Sequence, residues 1–281
     1  MTLRLDSARA TFIILLLFVS AVSLLPLARL VLEGMAPGGR WDPAAALGAL
    51  GSRAAWRATI GSLETSIGGT AMALLLGGAM ALLVAMTDIR GKAALVFCFV
   101  LPMMIPPQVT ALAWLKAFGP ASPVLVPLGL APPLGTPNPL YGREGIILLL
   151  GVQHAPLAFL ALRAGLRLLS PVQVEAAQVA GAGPLAVLCR VVLPLLAPAI
   201  AAAAALTFVS ALGNFGIPAL LGIPAKYATL PTLIYQRLAG FGPRVLPDMA
   251  ALSLVVGGLA LIGIAAQGWA LKQRGARLVA T

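Results

Sequence analysis

The sequence predicts an all-α, polytopic membrane protein with six transmembrane helices, on two observations. Hydrophobic residues make up 60% of the chain, charged residues only 10%, and mean hydropathy is +1.01. A soluble domain of 281 residues needs far more polar surface, whereas a chain whose outer face meets lipid does not. The apolar residues also fall into six stretches, each long enough to cross a bilayer and separated by Gly, Pro and charged residues. The formal net charge of +11 raises nucleic acid as a partner. The basic residues are scattered singly, however, and aromatics are sparse, so the cations are assigned to anchoring at the membrane interface and no nucleic-acid partner is expected.

Arg4 and Arg9 precede the first apolar run, Ala10 to Ala28. It is long for a signal peptide and no clear A-x-A site follows it, so it reads as a retained span. Residues 33–58 form a polar, Gly/Pro-containing connection with interface aromatics Trp41 and Trp56. The second span is expected from Ile60 to Met86. Glu64 near its start suits the interface and a helix N-terminus. Gly68-Gly69 and Gly77-Gly78 permit close helix–helix approach in lipid. After the charged turn Thr87–Lys92 comes the third span, Ala93 to Leu115, in which Pro102, Pro106 and Pro107 must break or strongly kink the helix. Broken backbone at membrane depth is tolerated where it lines a cavity or packs inside protein. Pro106 and Pro107 are therefore candidate pathway-lining residues, with a packing device as the alternative.

Residues 119–142 are rich in Pro and Gly and read as a structured loop. The fourth span is expected from Gly145 to Leu162, followed by Arg163 and Arg167. The fifth runs from Val191 to Leu212 and stops at Gly213–Pro218. A short helix is expected at Leu230–Leu238, and a sixth span from Met249 to Leu271. The domain organisation is then an N-terminal tail, first helix and loop (1–54), a five-helix core (55–271) and a basic tail (272–281) carrying Lys272, Arg274 and Arg277. Six spans put both termini on one side, together with the insert after span four. Basic residues on that side stand in short turns and tails, where charge has leverage, so charge modestly favours a cytoplasmic location.

That insert, residues 170–194, is a compact amphiphilic elbow. Ser170 can cap a helix, Pro171 suits its first position and Gln173 can reach back to the cap. Gly181-Ala182-Gly183 breaks the helix and Pro184 can start a second short one. The small side chains of Ala176, Ala177 and Ala180 let another protein come close to the backbone. Glu175 lies toward the helix start, where an acid is stabilised.

Glu175-Ala176-Ala177, then Gly181, then Leu193-Pro194 resembles the EAA loop of bacterial type I ABC importer permeases, E-A-A-x3-G-x9-I-x-L-P, with Val191 in place of the Ile. Leu101–Phe118 and Gly213–Leu238 resemble the subgroup that handles ferric iron and 2-aminoethylphosphonate; the likeness covers roughly residues 55–270. The resemblance implies a type I importer permease fold in the bacterial inner membrane, with both termini cytoplasmic. It implies docking of Glu175, Ala176, Ala177, Gly181, Leu193 and Pro194 on cytoplasmic ATP-binding subunits, pairing with a second permease, identical or homologous, and delivery of substrate by an external solute-binding protein. Many iron permeases of the subgroup are double-length; this single-length chain leans toward the phosphonate branch, with polyamine, thiamine or another small solute as alternatives.

The chain has no GxxxxGK[ST] loop, so ATP is expected on the partner and no cofactor or metal here. The eight acids all fall at span ends or in loops. An intramembrane enzyme or proton pump needs an ionisable group inside a span, and only His154 qualifies, without an evident partner. It is a hydrogen-bonded interior His or a pathway-lining group. Asn214 is similarly a helix-end cap or a substrate contact. A secondary transporter would need an inverted repeat or a charged midplane residue, and neither is visible. Cys98 and Cys189 are expected to be buried as small apolar residues, unpaired.

Overall fold

The computed structural model describes residues 3–279, and every regular element among them is helical. Helix α1 spans Leu3–Met35 and runs past both ends of its apolar run, because hydropathy marks what sits in the bilayer and not where backbone hydrogen bonding stops. A 3₁₀ turn at Pro37–Gly39 and α2, Pro43–Leu50, order part of the polar connection. Helix α3, Arg53–Met86, starts earlier than the Ile60 expected and takes in Trp56. Glu64 is therefore well inside α3, not at its N-terminus. The third span is two helices, α4 at Lys92–Met104 and α5 at Pro107–Phe118, meeting at 105°. Residues 119–142 form turns without a helix.

Helix α6, Arg143–Arg167, is longer than expected at both ends, so Arg163 and Arg167 occupy its last turns. Helix α7 is Pro171–Val179. Next, α8 at Pro184–Val187 continues through a π-helical turn, Leu188–Val192, into α9 at Leu193–Leu212. The elbow's second helix is thus not short: it is the first part of a continuous 29-residue span. Pro194 accounts for the π turn. It cannot donate to the Arg190 carbonyl and its ring crowds that carbonyl, so the preceding turn widens and Leu193 donates five residues back to Leu188. Helices α10, Gly216–Leu221, and α11, Leu230–Leu238, precede α12, Val245–Val279, which carries the backbone into the basic tail. The side chains of Arg4, Lys272, Arg274 and Arg277 lie outside the described residues.

Among the described residues five helices are long and apolar enough to cross a membrane, and the bent α4–α5 pair supplies the sixth apolar segment. The chain divides into two compact units, residues 1–56 with 233–257, and residues 57–232 with 258–281. In the first, α1 shows Phe12, Leu17 and Leu25 to the outside, as a lipid-facing helix does. Gly34 abuts α12 near Leu254, and Arg237 of α11 pairs with Asp248 of α12 at 3.4 Å.

The second unit is built around α6, whose residues from Gly145 to Leu162 are largely buried. Phe159 and Leu162 pack with Met80, Ala81 and Val84 of α3 and Leu196 and Ala203 of α9. Ile146, Leu149 and Leu150 pack with Ala111 of α5 and Ile217 and Leu221 of α10. In lipid no hydrophobic drive pushes apolar helices together, so association relies on close van der Waals fit. Glycines supply it. A Cβ at Gly77 would fall 2.5 Å from the Ala155 carbonyl oxygen and 2.7 Å from the Phe159 nitrogen, so the α3 backbone lies directly on α6. The pairs marked in the sequence supply two of these approaches, Gly69 and Gly77; Gly151, against Met72 of α3, and Gly165, against Ala199 of α9, are tighter still and were not marked.

Candidate functional site

Two places bring the sequence-marked residues together. The elbow is one. Helix α7 starts at Pro171 as expected, but Ser170 makes no side-chain cap bond; the turn is closed by the Gln173 backbone N–H donating to the Ser170 carbonyl at 3.3 Å. Its end is a Schellman motif. The Ala182 amide donates to the Ala177 carbonyl at 3.0 Å and the Gly181 amide to that of Gln178 at 2.9 Å, with Gly181 at φ +82°. Only a residue without Cβ takes that conformation freely, which is why the EAA pattern needs glycine there.

Val172, Glu175, Ala176 and Val179, at helical spacing i, i+3, i+4, i+7, form one outward face. Val179 is 90% exposed and Val172 67%, with Leu168 and Leu185 bared on either side. The face thus carries contiguous exposed apolar residues around one carboxylate. Val174 and Ala177 turn inward. Two expectations need correction. Glu175 stands at the middle of the nine-residue helix, not in its first turn, so the helix dipole does not hold it. Leu193 and Pro194 are not on the elbow; they lie beyond the π turn, at the start of α9, where they shape the helix that the elbow feeds. The exposed valines were missed because in sequence they look like core residues; their spacing with Glu175 was the available signal.

The second place is a cavity of about 380 Å³ at the break between α4 and α5. It gathers Pro106, Pro107, His154 and Asn214, all four residues marked in the sequence, with Gln153 and Ser210. The break follows from Pro106, which has no N–H for the Pro102 carbonyl. Gln153 of α6 repairs it: its Nε2 donates to the Pro102 carbonyl at 2.9 Å and to the Ile105 carbonyl at 3.2 Å. Gln153 is only 7% exposed, and its Oε1 is buried without a partner. Sequence reading passed over Gln153; an amide next to His154 in an apolar span was the signal.

His154 is buried and its Nδ1 lies 2.8 Å from the Leu150 carbonyl. A carbonyl only accepts, so Nδ1 carries the proton and Nε2 presents its lone pair while the ring is neutral. Asn214 accepts from the Ile217 amide at 3.2 Å, capping α10, while also lining the cavity. Neither carboxylate nor cation is among the cavity's lining residues. The arrangement offers neutral donors and acceptors around the cavity.

At the other end of α6 from the elbow, Tyr227 donates to Glu64 at 2.8 Å, and Arg143 stands 3.8 Å from Glu64. Burial, then the bond to Glu64, pushes the Tyr227 phenol well above its ordinary value. This network, and not a helix terminus, holds Glu64. Cys98 and Cys189 are free, as expected, but exposed and not buried: both sit on outer faces of their helices.

Residues 69–271, well over half the chain, match the family model described as "Binding-protein-dependent transport system inner membrane component". The chain belongs to this family. The permease is 28% identical over 176 residues to an ABC transporter permease, y4fN, of Sinorhizobium fredii; the match covers 63% of this chain but only 30% of that longer relative. It is 29% identical over 210 residues, 74% of this chain and 73% of the relative, to a 2-aminoethylphosphonate transport system permease, PhnU, of Salmonella choleraesuis. Further relatives carry molybdenum and ferric transport names. Its fold resembles a chain of a bacterial alginate ABC transporter solved with an alginate-pentasaccharide-bound periplasmic protein, at TM-score 0.75, covering 94% of this chain and 93% of that one, with 20% identity. The chain is thus a permease component of an ABC importer, a transport subunit of a membrane-spanning family.

Proposed function

We propose that this permease forms half of a solute pathway, that its cavity at the helix break lines that pathway, and that its elbow is pulled by a cytoplasmic ATPase. The observation that carries the reading is the clustering of Pro106, Pro107, His154 and Asn214 around one cavity, with Gln153 clasping the broken backbone. Irregular backbone at membrane depth is tolerated beside a cavity or inside protein, and here a cavity with polar lining lies beside it. In this reading a second permease, identical or homologous, supplies the other half. A solute-binding protein delivers substrate, both termini and the elbow face the cytoplasm of a bacterial inner membrane, and ATP stays on the partner subunit. Closure of an ATPase pair draws two elbows together, and the continuous Pro184–Leu212 helix passes that movement to the cavity wall at Ser210.

For the substrate, a small zwitterion such as 2-aminoethylphosphonate suits the cavity better than ferric iron. Neutral amide, imidazole and hydroxyl groups hydrogen-bond an amine and a phosphonate, whereas a bare trivalent cation calls for anionic oxygen ligands. Iron in a chelate, polyamine, thiamine or another small solute is the alternative. The deciding experiment is uptake into proteoliposomes holding the permease, its ATPase and its binding protein. Uptake of 2-aminoethylphosphonate that falls at least tenfold in His154→Leu, with ATPase recruitment intact, supports the reading. Full uptake in His154→Leu and Asn214→Leu removes the cavity from the pathway, and ATP-independent uptake overturns the importer mechanism.

A further inference from the structure

A second, larger cavity, about 920 Å³, lies between α4 and the elbow-proximal half of α6, with Val84 and Ala85 of α3 at its side. Its lining has two parts. Ala93, Val96, Phe97 and Val100 form an i, i+3, i+4, i+7 stripe along α4, facing Leu160 and Leu166 of α6. At one end stand three cations, Lys92 at the first residue of α4 and Arg163 and Arg167 one turn apart at the end of α6. Arg163 is held in place, its guanidinium carbon 5.7 Å from the Phe159 ring centroid. Asp88 is the acid paired here, 3.8 Å from Lys92 and fully exposed, and a surface pair of that length leaves the lysine available. Phe97, in the middle of the stripe, is 63% exposed.

We propose that this groove binds an anionic phospholipid, phosphate on Lys92, Arg163 and Arg167 and one acyl chain along the α4 stripe. The layout is that of the molecule it would hold. The cations lie where α6 leaves the membrane for the elbow, and the stripe runs from them about 12 Å toward the bilayer centre at the rise of a helix. A free oxyanion would satisfy the cations and leave the stripe bare. A second permease lying on this groove would have to match three cations, and the groove's lining contains no acid for a reciprocal pairing. A basic pocket between transmembrane helices at the membrane interface is a site for an acidic headgroup.

The test uses the purified full-length chain, delipidated in detergent and titrated with phosphatidylglycerol or phosphatidylcholine by native mass spectrometry. Phosphatidylglycerol should bind in preference, and Arg163→Gln with Arg167→Gln should weaken it roughly fivefold per cation removed. Arg163→Lys with Arg167→Lys, which keeps both charges, should retain the preference, and Lys116→Gln with Lys226→Gln, an equal charge loss elsewhere, should leave it unchanged. If the double Gln variant does not fold, Arg167→Gln alone, at an exposed position, should still show a fivefold loss. Equal binding of both lipids, no effect of the Gln variants, or displacement by millimolar inorganic phosphate as effective as by lipid would overturn the proposal. So would a high-yield disulfide between two chains carrying Phe97→Cys in a background without Cys98 and Cys189, because a second permease would then cover the groove. None of these readouts involves transport, so the proposal stands or falls apart from the pathway reading.

Discussion

Gln153 carries more of the fold than its position in the sequence announces. Its amide replaces hydrogen bonds that Pro106 and the bend deny to the Pro102 and Ile105 carbonyls. Gln153→Leu takes from the Ile105 carbonyl its side-chain donor and leaves the Pro102 carbonyl with the Ile105 amide, 3.2 Å away, and should cost about 1–3 kcal/mol. Thermal unfolding in detergent should show it as a lowered midpoint, with transport lost. Tyr227 makes a second prediction at this scale. Its phenol pKa is raised in the fold, by burial first and the Glu64 bond second, so the neutral form is favoured. That contribution is fully present below the ordinary tyrosine value of about 10 and is lost as pH rises through the folded value. Tyr227→Phe should therefore cost about 1 kcal/mol, level from pH 6 to 9, with the gap to wild type closing only at higher pH. A gap that changes between pH 6 and 8 would place the stabilising titration on another group.

The elements show where helix chemistry decides function. Helix α3 lies on α6 through Gly77, where a side chain would meet backbone, whereas a Cβ at Gly78 would have the flexible end of Leu162 as its nearest neighbour, 3.5 Å away. Gly77→Val should cost at least about 2 kcal/mol or abolish folding, and Gly78→Ala should be near neutral, both read by unfolding midpoint. The elbow is the second case. Its outward face is a carboxylate between two bare valines, and neither valine has a core to belong to. Glu175→Lys and Val179→Asp should each leave thermal stability within about 0.5 kcal/mol while reducing ATPase recruitment to permease-containing membranes. Unchanged recruitment in both variants would take this face out of the interface. Gly181 belongs to the same device: its φ of +82° sets the turn that presents the face.

At the larger scale, the second unit is built on a buried helix, α6, with an elbow at one end, a broken helix beside its middle and a hydrogen-bonded network at the other. In the proposed reading, that arrangement orders the functional parts across the membrane. It makes sidedness testable with membrane-impermeant thiol reagents, in a background without Cys98 and Cys189. Val179→Cys should be labelled only from the cytoplasmic face and Leu134→Cys, in the 119–142 loop, only from the other. Labelling of both from one side would contradict the proposed orientation. Reciprocal coupling is expected at the same scale: loaded binding protein should raise ATP hydrolysis by the assembled complex.

Composition and pattern alone determined that this chain lives in a bilayer, because a surface so poor in charge has no other stable solvent. They also determined the elbow, since the glycine, proline and alanine requirements of a turn are local and leave a fixed spacing. The broken third span was legible because Pro106 and Pro107 stand together, although Pro102 lies inside α4 without breaking it, as Pro156 does in α6. Tertiary structure decided the rest. It joined the short helix after Gly183 to the fifth span, because a proline can end a helix or widen it into a π turn, and which happens at Pro194 depends on what the helix packs against. It moved Glu64 from a helix end to a hydrogen bond with Tyr227, a residue far away in the chain. It brought Pro106, His154 and Asn214 to one cavity and made Gln153 its clasp, because those distances are set by how helices pack on α6 and not by the order of residues along the chain.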